Sequence, residues 1–176
     1  MRQDIGRILP WLAAALAFAV FVYATAKQHR SPLVGDPAPA FSLPVASGEG
    51  AGDAAPVDLA SLAGHVVVLD FWATWCPACA EATPALSRVA ERYADRGVQV
   101  WGVDVEKVGR AQLDAARARF GATYPTLQDR DGSLQRAYDV TLLPTLVVLD
   151  REGVVRHVVA GVHSEAQLQA MIEPLL

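Results

Sequence analysis

Cysteine, histidine and methionine are scarce in this sequence: its 176 residues hold two cysteines, four histidines and two methionines. A structural zinc site needs four ligands in a closed tetrahedral set. His29, His65, His157 and His163 are scattered, with no ligand-like spacing to one another or to a cysteine, so no metal is expected. Two thiolates do suit Cu(I), but no Met or His flanks the pair; copper delivery stands as the rival reading outside enzyme chemistry. A stapled fold is disfavoured, because one bridge across two intervening residues barely restrains the unfolded chain. A basic surplus is missing too. Residues 31–176 carry 18 of the 19 acidic side chains but 11 of the 15 basic ones, so nucleic acid is not an expected partner. No nucleotide or flavin fingerprint and no internal repeat is present.

Charge is absent altogether from one stretch near the N-terminus. ILPWLAAALAFAVFVYATA, residues 8–26, runs for 19 residues without a charged side chain, enough to span a hydrocarbon core as a helix. A cleaved signal peptide is the alternative, since ATA at 24–26 is an A-x-A-like cleavage site. The length of the apolar run favours an uncleaved anchor. Arg2 and Arg7 precede it while Lys27 and Arg30 follow it, so flanking charge decides little about orientation. Either reading exports the domain behind it. Residues 1–30 are therefore read as a membrane anchor with its flanks, and residues 31–176 as one domain on the far side of the membrane.

That domain is long enough to bury its own core. It opens with a segment rich in Pro, Gly, Ala and Ser, in which PAFSLPV and VDLASLAG form the two arms of an N-terminal hairpin, residues 35–63. HVVVLDFW (65–72) is a β-branched apolar run suited to a strand buried on both faces. Residues 76–97 read as a helix stopped by Gly97, 98–105 as a second buried strand, and 109–121 as a helix capped by Gly121. A short extended piece, a short helix at 134–140, two strands within 145–161 and a closing helix N-capped by Ser164 complete the chain. A strand–helix–strand unit forces a parallel pair through a right-handed crossover, and the later hairpin adds antiparallel strands. The fold class is α/β, a mixed central sheet flanked by helices.

Both cysteines fall in DFWATWCPAC, residues 70–79. Cys76 lies where strand gives way to helix, with Pro77 at the first helical position. Its sulfur then sits beside unpaired backbone N–H groups and the positive end of the helix dipole, both of which favour thiolate. Cys79 is one turn further on, within disulfide reach and expected to be more shielded. An exposed acidic sulfur and a covered one make an attacking and a resolving pair.

Two further residues have two readings each. Asp70 interrupts the apolar strand; it is either a strand-end carboxylate that reaches solvent or a loop, or a buried acid that takes the proton of Cys79. Pro144 in TLLPTLVV is either an ordinary strand-entry proline or a cis proline packed on the disulfide, leaving the backbone of Leu143 open to a substrate strand. Trp72 and Trp75 flank the site as core aromatics or as substrate contacts.

VVVLDFWATWCPAC, Pro84, FGATYPTLQDRDGSLQRAYDV, LLPTLVVLDREG and GVHSEAQLQAMI together resemble the TlpA/ResA/DsbE-like branch of the thioredoxin superfamily over about residues 35–174. The resemblance implies a thioredoxin-like fold with an N-terminal extension and one N-terminal transmembrane helix. It implies a thiol–disulfide oxidoreductase in which Cys76 is the nucleophile, Cys79 the resolving thiol and Pro144 the cis proline; Asp70 matches the buried acid of thioredoxin proper, where many members of this branch have Asn. Trp75, Pro77 and Leu143 are the residues expected against substrate. No cofactor is implied beyond the Cys76–Cys79 disulfide. The partners are a protein carrying a disulfide and a membrane electron donor, and the place is the periplasmic side of a bacterial inner membrane. Reduction is the favoured direction, since Pro77–Ala78 between the cysteines adds no charge; oxidase or isomerase is the alternative. Many members are reductants, some in cytochrome c maturation. This chain departs from them in having Ala82 where a glutamate is common, and VTLLP where such reductants often have Gly-Val-Pro.

Overall fold

The structure, a computed structural model, describes residues 33–52 and 55–176 together with residues 11 and 16–18. The membrane helix expected over residues 8–26 therefore lies outside the described residues apart from those four. Among the described residues no helix is long and apolar enough to cross a membrane.

Among the described residues, eight strands and four α-helices follow one another from residue 33. The expected buried strand is β4 (Val66–Trp72), and all seven of its residues are buried. It leads into α1 (Pro77–Tyr93), β5 (Val98–Asp104), α2 (Arg110–Phe120) and β6 (Thr126–Gln128). β4, β5 and β6 are mutually parallel. Both crossovers step the same way across the sheet, so right-handedness puts α1 and α2 on one face. α3 (Ser133–Ala137) then crosses beneath to β7 (Thr145–Leu149), which runs antiparallel to β4, and β8 (Val155–Ala160) returns beside it. α4 (Glu165–Ile172) closes the chain behind a capping box of Ser164 and Gln167.

α1 ends where its sequence says it should. After Tyr93 the chain tightens into a 3-10 turn, and Gly97 takes φ +81°, a left-handed conformation that glycine adopts without a Cβ clash. Gly121 ends α2 in the same way, and its carbonyl accepts the Ser87 hydroxyl of α1 at 2.9 Å.

The N-terminal hairpin departs from expectation. β1 (Ser42–Leu43) does pair antiparallel with β3 (Val57–Asp58). Yet Val45–Ser47 leave it as β2, which pairs antiparallel with β6 and extends the main sheet to six strands in the order β2-β6-β5-β4-β7-β8. Pro44 is the reason: it has no N–H to continue the first ladder, while its carbonyl accepts the Gln128 N–H of β6 at 3.2 Å.

Strand alternation sorts the core into two faces. Leu69, Phe71, Val103 and Val147 point to the side of α3, where they meet Leu134, Tyr138 and Leu62. Val66, Val68, Val98, Val100, Leu146 and Val148 point to the other side, under Leu86 and Val89 of α1 and Leu168 and Ile172 of α4. Further up that second face Trp72 packs with Leu113, Ala116 and Phe120 of α2 and with both cysteines. The site is therefore built where β4 ends.

Candidate active site

Cys76 occupies the N-cap of α1, with extended backbone at φ −85° and ψ 107°. Pro77 follows at N1 and is exposed. The backbone N–H of Cys79 donates to Sγ of Cys76 at 3.1 Å, so the sulfur serves as the cap acceptor that an oxygen usually supplies. Cys76 and Cys79 form a disulfide with their Cα atoms 5.3 Å apart. The expected contrast in exposure is absent in this oxidised form: Cys76 is 3% and Cys79 2% exposed. Ala73 and Trp72 are buried beside the pair, and Leu143 packs against the same cluster. What separates the two sulfurs is hydrogen bonding, since the helix-end N–H is aimed at Cys76 alone.

The two tryptophans have opposite roles in the packing. Trp72 is 4% exposed and meets Phe120 edge-on at 5.6 Å. Trp75 is 68% exposed beside the disulfide. The turn between them decides this, because Thr74 is pinned on both sides: Glu106 accepts its N–H, and Nη2 of Arg119 donates to its carbonyl at 2.7 Å.

The Leu143–Pro144 peptide is cis, and Pro144 is buried. Its carbonyl accepts the Gly161 N–H at 2.8 Å, while the Thr145 hydroxyl donates to the Leu142 carbonyl at 2.8 Å. Leu143 lies between these fixed points, partly buried. Leu142, not singled out in the sequence, is exposed.

Asp70 is buried in the middle of the sheet, on the face that carries α1. It is not a strand-end carboxylate reaching solvent. Burial pushes its carboxyl up to about 6, and a hydrogen bond donated by the Tyr124 hydroxyl at 2.8 Å restrains the rise. A second buried acid lies two residues along β5 from Gly102, the residue paired with Asp70. Asp104 is wholly buried; burial pushes it up to about 7, the Gln128 amide at 3.1 Å pulls it down, and the charge of Glu106 adds to the rise. The signal in the sequence was the same as for Asp70, an acid closing the apolar run VQVWGVDV.

Gly102, paired with Asp70, is closely packed. A Cβ there would lie 2.9 Å from both the Trp72 indole nitrogen and the Thr126 hydroxyl. Glu81, one residue before the position where relatives of this branch carry a glutamate, is exposed at the surface.

The chain that builds this site has relatives among known proteins. The sequence model of the AhpC/TSA family matches residues 34–158. The chain belongs to the AhpC/TSA family. Thiol-disulfide oxidoreductase ResA of Geobacillus thermodenitrificans is 30% identical over 96% of this chain and 92% of its own length. Thiol:disulfide interchange protein DsbE of Pseudomonas aeruginosa is 28% identical over 96% and 91%. The crystal structure of a thioredoxin family thiol:disulfide interchange protein from Chlorobium tepidum superposes with a TM-score of 0.67 at 29% identity, covering 79% of this chain and 94% of that one. This AhpC/TSA member thus has the thioredoxin-like fold and is a thiol–disulfide oxidoreductase of the ResA/DsbE kind.

Proposed function

We propose that this AhpC/TSA member reduces disulfides in proteins outside the cytoplasm, tethered to the bacterial inner membrane by residues 8–26. The observation that carries dithiol exchange with Cys76 as nucleophile is the Cys79 N–H aimed at Sγ of Cys76. In the reduced protein that donor and the N-terminal end of α1 stabilise a Cys76 thiolate. The thiolate attacks one sulfur of the substrate disulfide; a Cys76–substrate bond forms, and the other substrate sulfur leaves with the electron pair. Cys79 gives its proton to the Asp70 carboxylate, and its thiolate attacks Sγ of Cys76. The intramolecular disulfide forms, the second substrate sulfur leaves, and two electrons have passed to the substrate, whose thiolates take up two protons. A membrane electron donor then returns two electrons to the Cys76–Cys79 disulfide, which is the one redox group the cycle needs.

Trp75, Pro77 and Leu143 form the contact surface in this reading, with the Leu143 backbone pairing with an extended substrate segment. The uncharged residues between the cysteines support the reducing direction, and an apoprotein of cytochrome c maturation fits as substrate. The test is the reduction potential of the Cys76–Cys79 couple together with turnover of insulin disulfides. A potential near thioredoxin's, about −270 mV, with insulin reduction is the expected result. A potential near −120 mV would make the protein an oxidant. Tight Cu(I) binding without insulin reduction would move it to metal delivery.

A further inference from the structure

Asp70 has a partner that the reaction as written does not use. The Tyr124 side chain is 4% exposed, and its hydroxyl donates to Oδ2 of Asp70 across a sequence separation of 54 residues. Its position is held from two other sides. Nη2 of Arg117 on α2 donates to the Tyr124 carbonyl, and the tyrosine hydroxyl also borders the Thr83 hydroxyl of α1. Thr83 in turn donates to the carbonyl of Cys79 at 2.7 Å. A line of polar groups therefore joins the buried acid to the turn of helix that carries the resolving cysteine.

The rest of the surroundings are nearly free of charge. The buried side chains of α1 are Cys79, Thr83, Leu86, Ser87, Val89 and, at its far end, Tyr93; its charged residues Glu81, Arg88, Glu91 and Arg92 are exposed. β7 presents Leu146 opposite Asp70, and β5 presents Gly102, with Asp104 two residues beyond. Arg117 hydrogen-bonds the Tyr124 backbone carbonyl, and its charge also acts on the Tyr124 hydroxyl, but it makes no hydrogen bond to Asp70. Among the described residues, the tyrosine hydroxyl is thus the one hydrogen-bond donor aimed at the Asp70 side chain.

We infer that Tyr124 is a positioning residue for the thiol chemistry, holding the Asp70 carboxylate and setting the pH above which it accepts the Cys79 proton. The inference rests on the role given to Asp70 above. A donated hydrogen bond favours the ionised carboxylate and opposes the desolvation that favours the acid. When Asp70 takes up the proton its O–H can donate in the reverse direction, and the tyrosine hydroxyl is freed to donate to Thr83. The proton moves from Sγ of Cys79 to the carboxylate; Tyr124 neither gains nor loses one overall.

Tyr124→Phe keeps the ring and removes only the hydroxyl. In the full chain, two quantities are followed against pH: the carboxyl carbon of Asp70 by NMR, and the release of a model thiol from its mixed disulfide with Cys76. The Asp70 midpoint is expected to rise by roughly one to two pH units in Tyr124→Phe, the worth of a hydrogen bond to a charged group. The acid limb of the release rate should move by the same amount, and Tyr124→Phe should add nothing in an Asp70→Asn background. Tyr124→3-fluorotyrosine keeps ring and hydroxyl but donates more strongly, so it moves the midpoint the opposite way and serves if the phenylalanine variant does not fold. An Asp70 midpoint that ignores both substitutions overturns the inference. If instead Asp70→Asn leaves the acid limb in place, the role of Asp70 fails, while the midpoints still decide what Tyr124 does to the carboxyl.

Discussion

The helix-bearing face of the sheet changes character half-way along its strands. At the start of β4 and β5, Val66, Val68, Val98 and Val100 meet Leu86, Val89, Leu168 and Ile172, all of them buried. From residue 70 onward the same strands carry Asp70, Trp72, Gly102 and Asp104, with Thr126 and Gln128 beside them on β6. The alternation of side chains continues unbroken, so the backbone is indifferent to the change. Apolar burial in the first half holds the fold together. Buried acids in the second half cost stability, and that half lies next to the disulfide. The comparison predicts that the two halves respond to mutation in opposite ways.

The largest effect on stability is expected in the apolar half. Leu86 is 2% exposed and packs between α1 and the sheet. Leu86→Ala leaves a cavity and should cost about 3 kcal/mol in chemical denaturation. Disulfide reduction per folded molecule should stay as it was. A fall in that specific activity would show that the halves are coupled more tightly than their packing implies.

Asp70→Asn should do the reverse. Below about pH 4 the carboxyl is protonated both folded and unfolded, and its burial adds no ionic penalty. As pH rises, the unfolded chain releases the proton first, while the folded protein keeps it up to about 6. Stability present at low pH is therefore lost as pH rises through that value. Asparagine escapes the loss and still accepts from Tyr124. The variant should be more stable than the parent by roughly 2 to 3 kcal/mol at pH 7, with the difference vanishing near pH 4. Its disulfide turnover at pH 7 should fall at least about tenfold. Equal stability of parent and variant across this range would remove the cost assigned to the polar half.

Much of this contrast is legible in the sequence. Apolar periodicity places the long strands and helices, and an acid inside an apolar run marks Asp70. The cysteines advertise themselves by spacing. What stays hidden depends on distant partners. Tyr124 reads as part of a short extended piece until the fold sets its hydroxyl against Asp70. Nothing in the sequence marks Glu106 or Arg119, which close on Thr74 from 32 and 45 residues away. Pro44 splits the first hairpin because the edge of β6 is there to receive the strand that follows, and no local pattern announces that edge. The exposure of Cys76 is hidden too: the helix mouth gives it a donor but not a window, since Leu143 and the turn pack against it.

Arg119 tests the boundary of the polar half with the smallest expected effect. Its side chain is exposed and lies over the Phe120 ring at 4.9 Å, with Nη2 on the Thr74 carbonyl. Water can replace that donor, so Arg119→Ala should change thermal stability little, as exposed substitutions usually do. Thr74 itself lies next to Trp75, whose exposed ring needs a fixed turn beneath it to meet a substrate the same way each time. Loosening the turn should cost about 1 kcal/mol of substrate binding, a rise of roughly fivefold in KM for a protein disulfide. The reduction potential and kcat should hold, because neither sulfur nor Asp70 loses a partner. Should the melting temperature drop while KM stays put, Arg119 belongs to the packing of α2, and the polar half ends at Thr74.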